Sequence, residues 1–347
     1  MFEAKLIGPS ARPLCMVLDR TSIASNAASV DVLLELVEHD GVEIISTDHA
    51  DGAATLELPA QVETGIGSYE VRYGDNRRRR TAMHPLPFWK EFARDGFSPS
   101  KATLKSFQVA QAAVQLGADA LVTAEPLLLD PEPLAQAFFR DANPMSPEQA
   151  AAFLGLCLRL RDDFQVSEIL ATDRETYFHT VTEAVLPSAW RWLEACGISM
   201  QLGNREAPVR LARTTLDRVA RALGGRDRVH GAFLGAARGE GLEEAIAQLD
   251  AVLVQLAGAF DAVARVANVV YGINARRNNV KWNWTWRTRD LAAVDDDLAA
   301  VMDEERAARD VFDILLIFRN TIHGEGLIPV SSFLPLGHRL WVHSVAR

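Results

Sequence analysis

Cysteine is scarce in this chain, aromatic residues are few, and no excess of positive charge is present. The three cysteines, Cys15, Cys157 and Cys196, are odd in number and lack C-x-x-C spacing, which argues against a disulfide framework or a thiolate zinc site. They read as small buried residues. No run reaches the roughly 18 apolar residues needed to cross a bilayer, and the opening MFEAKLIGPSARPL meets proline before an apolar stretch develops. The expectation is a cytoplasmic protein without a membrane partner. A net charge of −10 argues against indiscriminate coating of nucleic acid or anionic membrane, because phosphate binding needs a basic field. Composition is also too unbiased for intrinsic disorder, collagen-like repetition or a coiled-coil rod.

What is present is a chain of 347 residues, 48% apolar and 24% charged, long enough for about two domains with real cores. Cut near residue 145, the first part carries 13 basic and 20 acidic residues (−7) and the second 23 and 26 (−3). The second part is nearly neutral, so its cations are available to a local anionic ligand.

The two parts differ in pattern. Leu14 to Leu18 is a short apolar run, Val30 to Val37 has helical spacing, and Val42 to Ser46 reads as a strand, the start of an α/β unit. Ala54, Leu56 and Leu58, then Tyr69, Val71 and Tyr73, alternate and suggest a hairpin. The Arg77–Arg80 run behind it reads as an exposed loop, with a nucleic-acid contact as the alternative. A helix over 99–116, stopped by Gly117, leads to a brief strand at 120–123. Ser146-Pro147-Glu148-Gln149 is a helix start, with an N-cap serine, proline at the first helical position and glutamine three residues after the cap. A domain boundary is therefore expected at 143/144. Helices are expected at 147–171, 173–195, 206–223, 241–271 and 290–322, followed by short extended pieces.

The last helix ends in F-R-N-T-I-H-G-E-G. Arg319 and His323 are four apart and share one face, with Asn320 adjacent. A permanent cation beside an imidazole suits phosphodiester chemistry, since arginine neutralises phosphate while histidine moves a proton. No metal or other cofactor is needed for that. The bland alternative is a helix-end pair with His323 at the C-terminal dipole. A second unusual segment is Arg276-Arg277-Asn-Asn-Val-Lys281-Trp282-Asn-Trp284-Thr-Trp286-Arg287. Extended, its tryptophans would project to one side as a stacking platform for unpaired bases, with Arg276, Arg277, Lys281 and Arg287 on phosphates. The alternative, favoured by the size of the aromatics, is that they pack the loop onto the helices.

An all-α domain whose last long helix carries Arg-Asn followed closely by His resembles the HEPN superfamily. The resemblance implies an all-α helical-bundle domain over 144–347 and a metal-independent endoribonuclease with Arg319, Asn320 and His323 as catalytic residues. It further implies RNA as substrate, assembly as a homodimer, and a place in a toxin or anti-phage defence system beside an antitoxin or sensor protein. The family usually leaves four to six residues between Arg and His, whereas three stand here. Over residues 1–143, Val17-Leu-Asp19-Arg-Thr-Ser22 and Gly117-Ala-Asp-Ala-Leu-Val-Thr-Ala-Glu125 resemble the first and fourth strands of an α/β PIN-like domain. Such domains hold divalent metal on acids at strand ends. Asp19 matches the first acid, Glu125 stands where aspartate is usual, Leu127 stands where another often follows, and Glu38 or Glu35 offers a further carboxylate. The set Asp19, Glu38 and Glu125 reads as a degraded metal site. Two other functions remain open: a non-enzymatic RNA-binding or protein-interaction module with relic nuclease folds, and a metal-dependent PIN-type nuclease.

Overall fold

The computed structural model describes residues 12–23, 28–48, 52–58, 67–73, 77–83, 100–129, 140–167, 170–203, 206–235, 241–273, 275–276, 279–304 and 306–324. The extended pieces expected after the last helix lie outside them. By its internal contacts the chain divides into two units, residues 1–158 and 159–347.

The first unit is α/β. Strands β1 (Leu14–Leu18), β2 (Val42–Ser46), β3 (Ala54–Glu57), β4 (Gly67–Tyr73), β5 (Arg77–Met83), β6 (Ala120–Val122) and β7 (Pro144–Met145) form one sheet in the order β5-β4-β3-β2-β1-β6-β7. The β3-β2-β1-β6-β7 portion is parallel and the β3-β4-β5 edge is antiparallel. A parallel neighbour needs a crossover. Helix α1 (Ala28–Leu34) lies between β1 and β2, and α2 (Lys101–Leu116) precedes β6. Ser100 caps α2 by accepting from Thr103 N, and Gly117, at φ 66°, closes it in a left-handed conformation that a side chain would resist. Strands buried on both faces should be apolar throughout, and all five residues of β1 are buried. One face of the sheet packs on Phe107, Val109, Ala110 and Ala113 of α2, and the other on Val30 and Leu33 of α1.

Two expectations change here. The Arg77–Arg80 run is not a loop: it lies in β5, with Arg79 opposite Val71 and Arg77 opposite Tyr73. A charged edge strand discourages pairing with a foreign strand. The domain boundary moves from 143/144 to 158/159. Helix α4 (Pro147–Leu160), which follows the short α3 (Pro126–Leu129), buries Ala150, Leu154, Cys157 and Leu158 in the same cluster as Leu14, Met16 and Val122. Its start is the reciprocal cap expected, with Ser146 N donating to Gln149 Oε1 at 2.9 Å and Gln149 N donating to Ser146 Oγ at 3.3 Å.

The second unit is mostly helical rather than all-α, because β8 (Gln165–Ser167) and β9 (Leu170–Ala171) make a small antiparallel pair where the first long helix was expected to continue. Then come α5 (Arg174–Val185), α6 (Pro187–Gly203), α7 (Glu206–Gly235) and α8 (Gly241–Val270). Pro187 divides the single helix expected over 173–195, since proline starts a helix well and continues one poorly. The 30-residue α7 and α8 lie antiparallel: a Cβ added at Gly225 would meet Val252 at 2.6 Å, and one at Gly258 would meet the Arg218 guanidinium at 2.0 Å. Glycine at these positions lets the two helices close on each other. By length and hydropathy α8 alone among the described helices passes the test for a membrane span. Its Ala257, Ala264 and Ala267 are buried in a core that Leu253, Leu256 and Phe260 pack against.

The described residues finish with α9 (Trp284–Trp286), a π-helical turn at Arg287–Leu291, α10 (Asp296–Glu304) and α11 (Arg306–Gly324). The single helix expected over 290–322 is thus several pieces. Phe312 and Leu315 of α11 are buried against α8, with the Phe260 and Phe312 rings 4.8 Å apart edge to face. The buried arginine in this core is Arg287, whose guanidinium donates to Ala299 O at 3.1 Å.

Candidate functional site

Helix α11 positions the three residues expected to act on phosphodiester. It runs unbroken from Arg306 to Gly324, so positions 319 and 323 are one turn apart on a single backbone. At 100° per residue they also continue the register of Phe312, Leu315 and Leu316, the face packed inward, into the last turn of the helix. Asn320, a step round the helix, is exposed. The side chains of Arg319 and His323 lie outside the described residues.

The tryptophan segment differs from the extended ribbon its alternation suggested. Asn283 accepts from Trp286 N at 2.9 Å and caps a short helix instead. Trp282, just before the extended cap residue, and Trp286, inside the helix, then meet, ring centroids 6.1 Å apart, in the core with Val280, Leu291 and Phe312. Neither is available for base stacking, and Arg287, 4% exposed, is not a surface phosphate ligand. Trp284 is the exception at 56% exposed. The guanidinium carbons of Arg287 and Arg309 lie 5.8 and 5.3 Å from its ring centroid, within cation–π range. Arg276 and Lys281 are exposed, and Arg277 lies outside the described residues. Arg309 enters this surface from α11, and no local sequence signal links it to Trp284. Only the register of α11 could have found it.

In the first unit the strand ends converge where β1 and β6 part company. Here the chain moves outward through β2 and β3 on one side and β6 and β7 on the other, the position at which open α/β sheets bind ligands. Asp19 follows β1 there and is fully buried. Its carboxylate accepts from Ser22 Oγ at 2.8 Å, Thr123 Oγ1 at 3.0 Å, Thr21 N at 3.2 Å and the Thr21 hydroxyl. Ala124 N donates to Ser22 Oγ at 3.0 Å and Glu125 N to Thr123 Oγ1 at 3.1 Å. Thus the acid ties two strand ends together through hydroxyls. Beside it, burial pushes the Asp48 carboxyl up, but hydrogen bonds from Ser46 and Arg20 and the charge of Arg20 outweigh this and hold it below its usual value.

The expected metal set is not assembled. Glu125 shares the edge with Asp19 but accepts weakly from Leu127 N, at 3.4 Å, in the first turn of α3. Glu38 is exposed in the turn that leads into β2, at the amino edge of the parallel strands, opposite to Asp19. A helix crossover carries the chain from one edge to the other, which is why helix spacing alone misplaced it. Among the described residues no group of three or more metal-ligating side chains occurs.

In comparisons with known proteins the chain matches no family model, no curated protein and no solved structure.

Proposed function

We propose that the protein acts on RNA and that its helical unit cleaves the phosphodiester without a bound metal, as HEPN-type ribonucleases do. Arg319 holds the phosphate oxygens, Asn320 orients the substrate, and His323 moves the proton. The observation that carries the reading is the register of α11. It sets positions 319 and 323 in the final turn of a stripe that begins with buried Phe312 and Leu315, with exposed Asn320 beside them. A cation and an imidazole where an apolar stripe runs out suit general acid–base chemistry next to a neutralised phosphate. In the step, the ribose 2′-oxygen attacks phosphorus and gives its proton to the base. The bond to the 5′-oxygen breaks and that oxygen takes a proton, leaving a 2′,3′-cyclic phosphate.

The assembly as a homodimer and the association with an antitoxin or sensor protein in defence belong to the same proposal and rest on the resemblance alone. The test is cleavage of end-labelled RNA in EDTA by the wild type and by Arg319→Ala/His323→Ala. Cleavage lost only in the double variant supports the reading, and equal cleavage by both overturns it.

A second reading, RNA binding without cleavage, is favoured by Trp284. An exposed indole flanked by two guanidinium groups offers a base a stacking face.

A further inference from the structure

A groove in the helical unit is lined by α5, α6, α7 and α8, and its centre is His179 of α5. The imidazole Nε2 lies 3.6 Å from Asp217 Oδ1 and 4.0 Å from Glu175 Oε1. Two adjoining cavities of about 480 and 440 Å³ share Glu175, His179 and Asp217 as lining residues, so the histidine stands where they meet. Each is large enough for a small metabolite.

The groove is polarised along its length. The carboxylates of Glu175 and Asp217 stand at the middle with His179, and beyond them in one direction the charged lining is Asp173 and Arg213. In the other direction it is Arg221 and Arg228, with Gln248 and Gln255 of α8 on the facing wall. Arg221 and Arg228 fall on one face of α7, seven residues or about 10 Å apart. Both are exposed, and among the described residues neither makes a hydrogen bond or ion pair. Arg174, which also lines this end, is already committed to Asp162 at 2.6 Å. The floor is pinned: a Cβ at Gly224 would meet the Phe178 ring at 3.1 Å, so the aromatic rests on the helix backbone between the two arginines.

Unengaged guanidinium forks match the geometry of phosphate oxygens. The carboxylates around His179, beyond the arginines, accept hydrogen bonds from hydroxyl or amino groups and repel a second anion. An occupant must therefore be anionic at one end and rich in donors at the other. We propose that this groove binds a phosphate monoester of a polyhydroxylated group, a nucleotide or a sugar phosphate. Arg221 and Arg228 hold the phosphate, and Asp217 and Glu175 take the hydroxyls around His179. This site is separate from α11 and does not depend on the cleavage proposed there.

Calorimetric titration of the full chain with adenosine monophosphate, ribose 5-phosphate and inorganic phosphate tests it. The two esters bind at least about tenfold more tightly than inorganic phosphate, and Arg221→Ala/Arg228→Ala weakens them by at least about tenfold. Circular dichroism confirms that this exposed double variant is folded. Equal binding of both esters assigns recognition to the sugar phosphate, and a preference for adenosine monophosphate extends it to the base. No binding of either ester at millimolar concentration, unchanged affinity in the double variant, or inorganic phosphate binding as well as the esters overturns the proposal.

Discussion

Two regions of the molecule treat their polar residues in opposite ways. At the sheet edge, Asp19 is withdrawn from solvent and surrounded by Thr21, Ser22 and Thr123, so its oxygens are occupied by hydroxyls and a backbone amide. In the helical unit, Trp284, Arg276 and Lys281 face solvent, and Arg221 and Arg228 are exposed in a groove. Both places attract attention in the sequence, since both collect chemically versatile residues. Burial with satisfied hydrogen bonds marks the first as a structural clasp, because a buried carboxylate left unpaired would be costly. Exposed cations and aromatics do nothing comparable for the fold and remain available to a ligand.

The contrast is sharpest within one segment. Trp286 and Trp284 are two residues apart, yet one is 1% and the other 56% exposed. Trp286→Ala should destabilise the helical unit by about 3–5 kcal/mol, the usual cost of emptying a buried aromatic site, as read by urea unfolding. In the first unit, Asp19→Ala should cost about 2–3 kcal/mol through the donors it strands. Its RNA cleavage should remain that of the wild type, and a loss of cleavage in the folded variant would return catalysis to the sheet edge. Trp284→Ala should leave stability within about 0.5 kcal/mol while weakening single-stranded RNA retention by about 1–3 kcal/mol, as measured by filter binding.

The smallest effect separates Asp48 from its buried neighbour. Its depressed carboxyl value means that its contribution to stability is present above the ordinary value of 3.8 and is lost as pH falls through the folded value. Asp48→Asn should therefore narrow its deficit against the wild type as urea unfolding is repeated from about pH 6 down to about pH 3. A deficit that grows with acid would contradict the sign.

The centre of the first unit's sheet was legible in the sequence because β1 is a continuous apolar run and β2 is mostly one: Leu14–Leu18 and Val42–Ser46 appear where the pattern puts them. The α8 stripe was equally clear. Arg77–Arg80 was not, because a polar edge strand has no period of its own and becomes a strand only by pairing with Val71 and Tyr73 and their neighbours. The tryptophan alternation imitated a β pattern, and the overlooked signal was Asn283, a good helix cap placed just before it. Of the candidate residues, Asn320, Trp284, Arg276 and Lys281 are found at the surface, whereas Trp282, Trp286 and Arg287 serve the core. Glu38 was misplaced because helical spacing says nothing about which sheet edge a loop reaches. His179 was not legible as the centre of a groove, because Asp217, the nearer of its two carboxylate neighbours, comes from another helix.

The central claim, that the chemistry belongs to the helical unit, is tested most directly by a single cleavage assay. Wild type, Arg319→Ala/His323→Ala and Asp19→Ala are each incubated with a mixed pool of end-labelled RNAs in EDTA, and the product ends are mapped. The account predicts cyclic phosphate ends from the wild type and Asp19→Ala, with the α11 double variant at least about a hundredfold slower. Cleavage that the double variant retains, or that only Asp19→Ala loses, would contradict it.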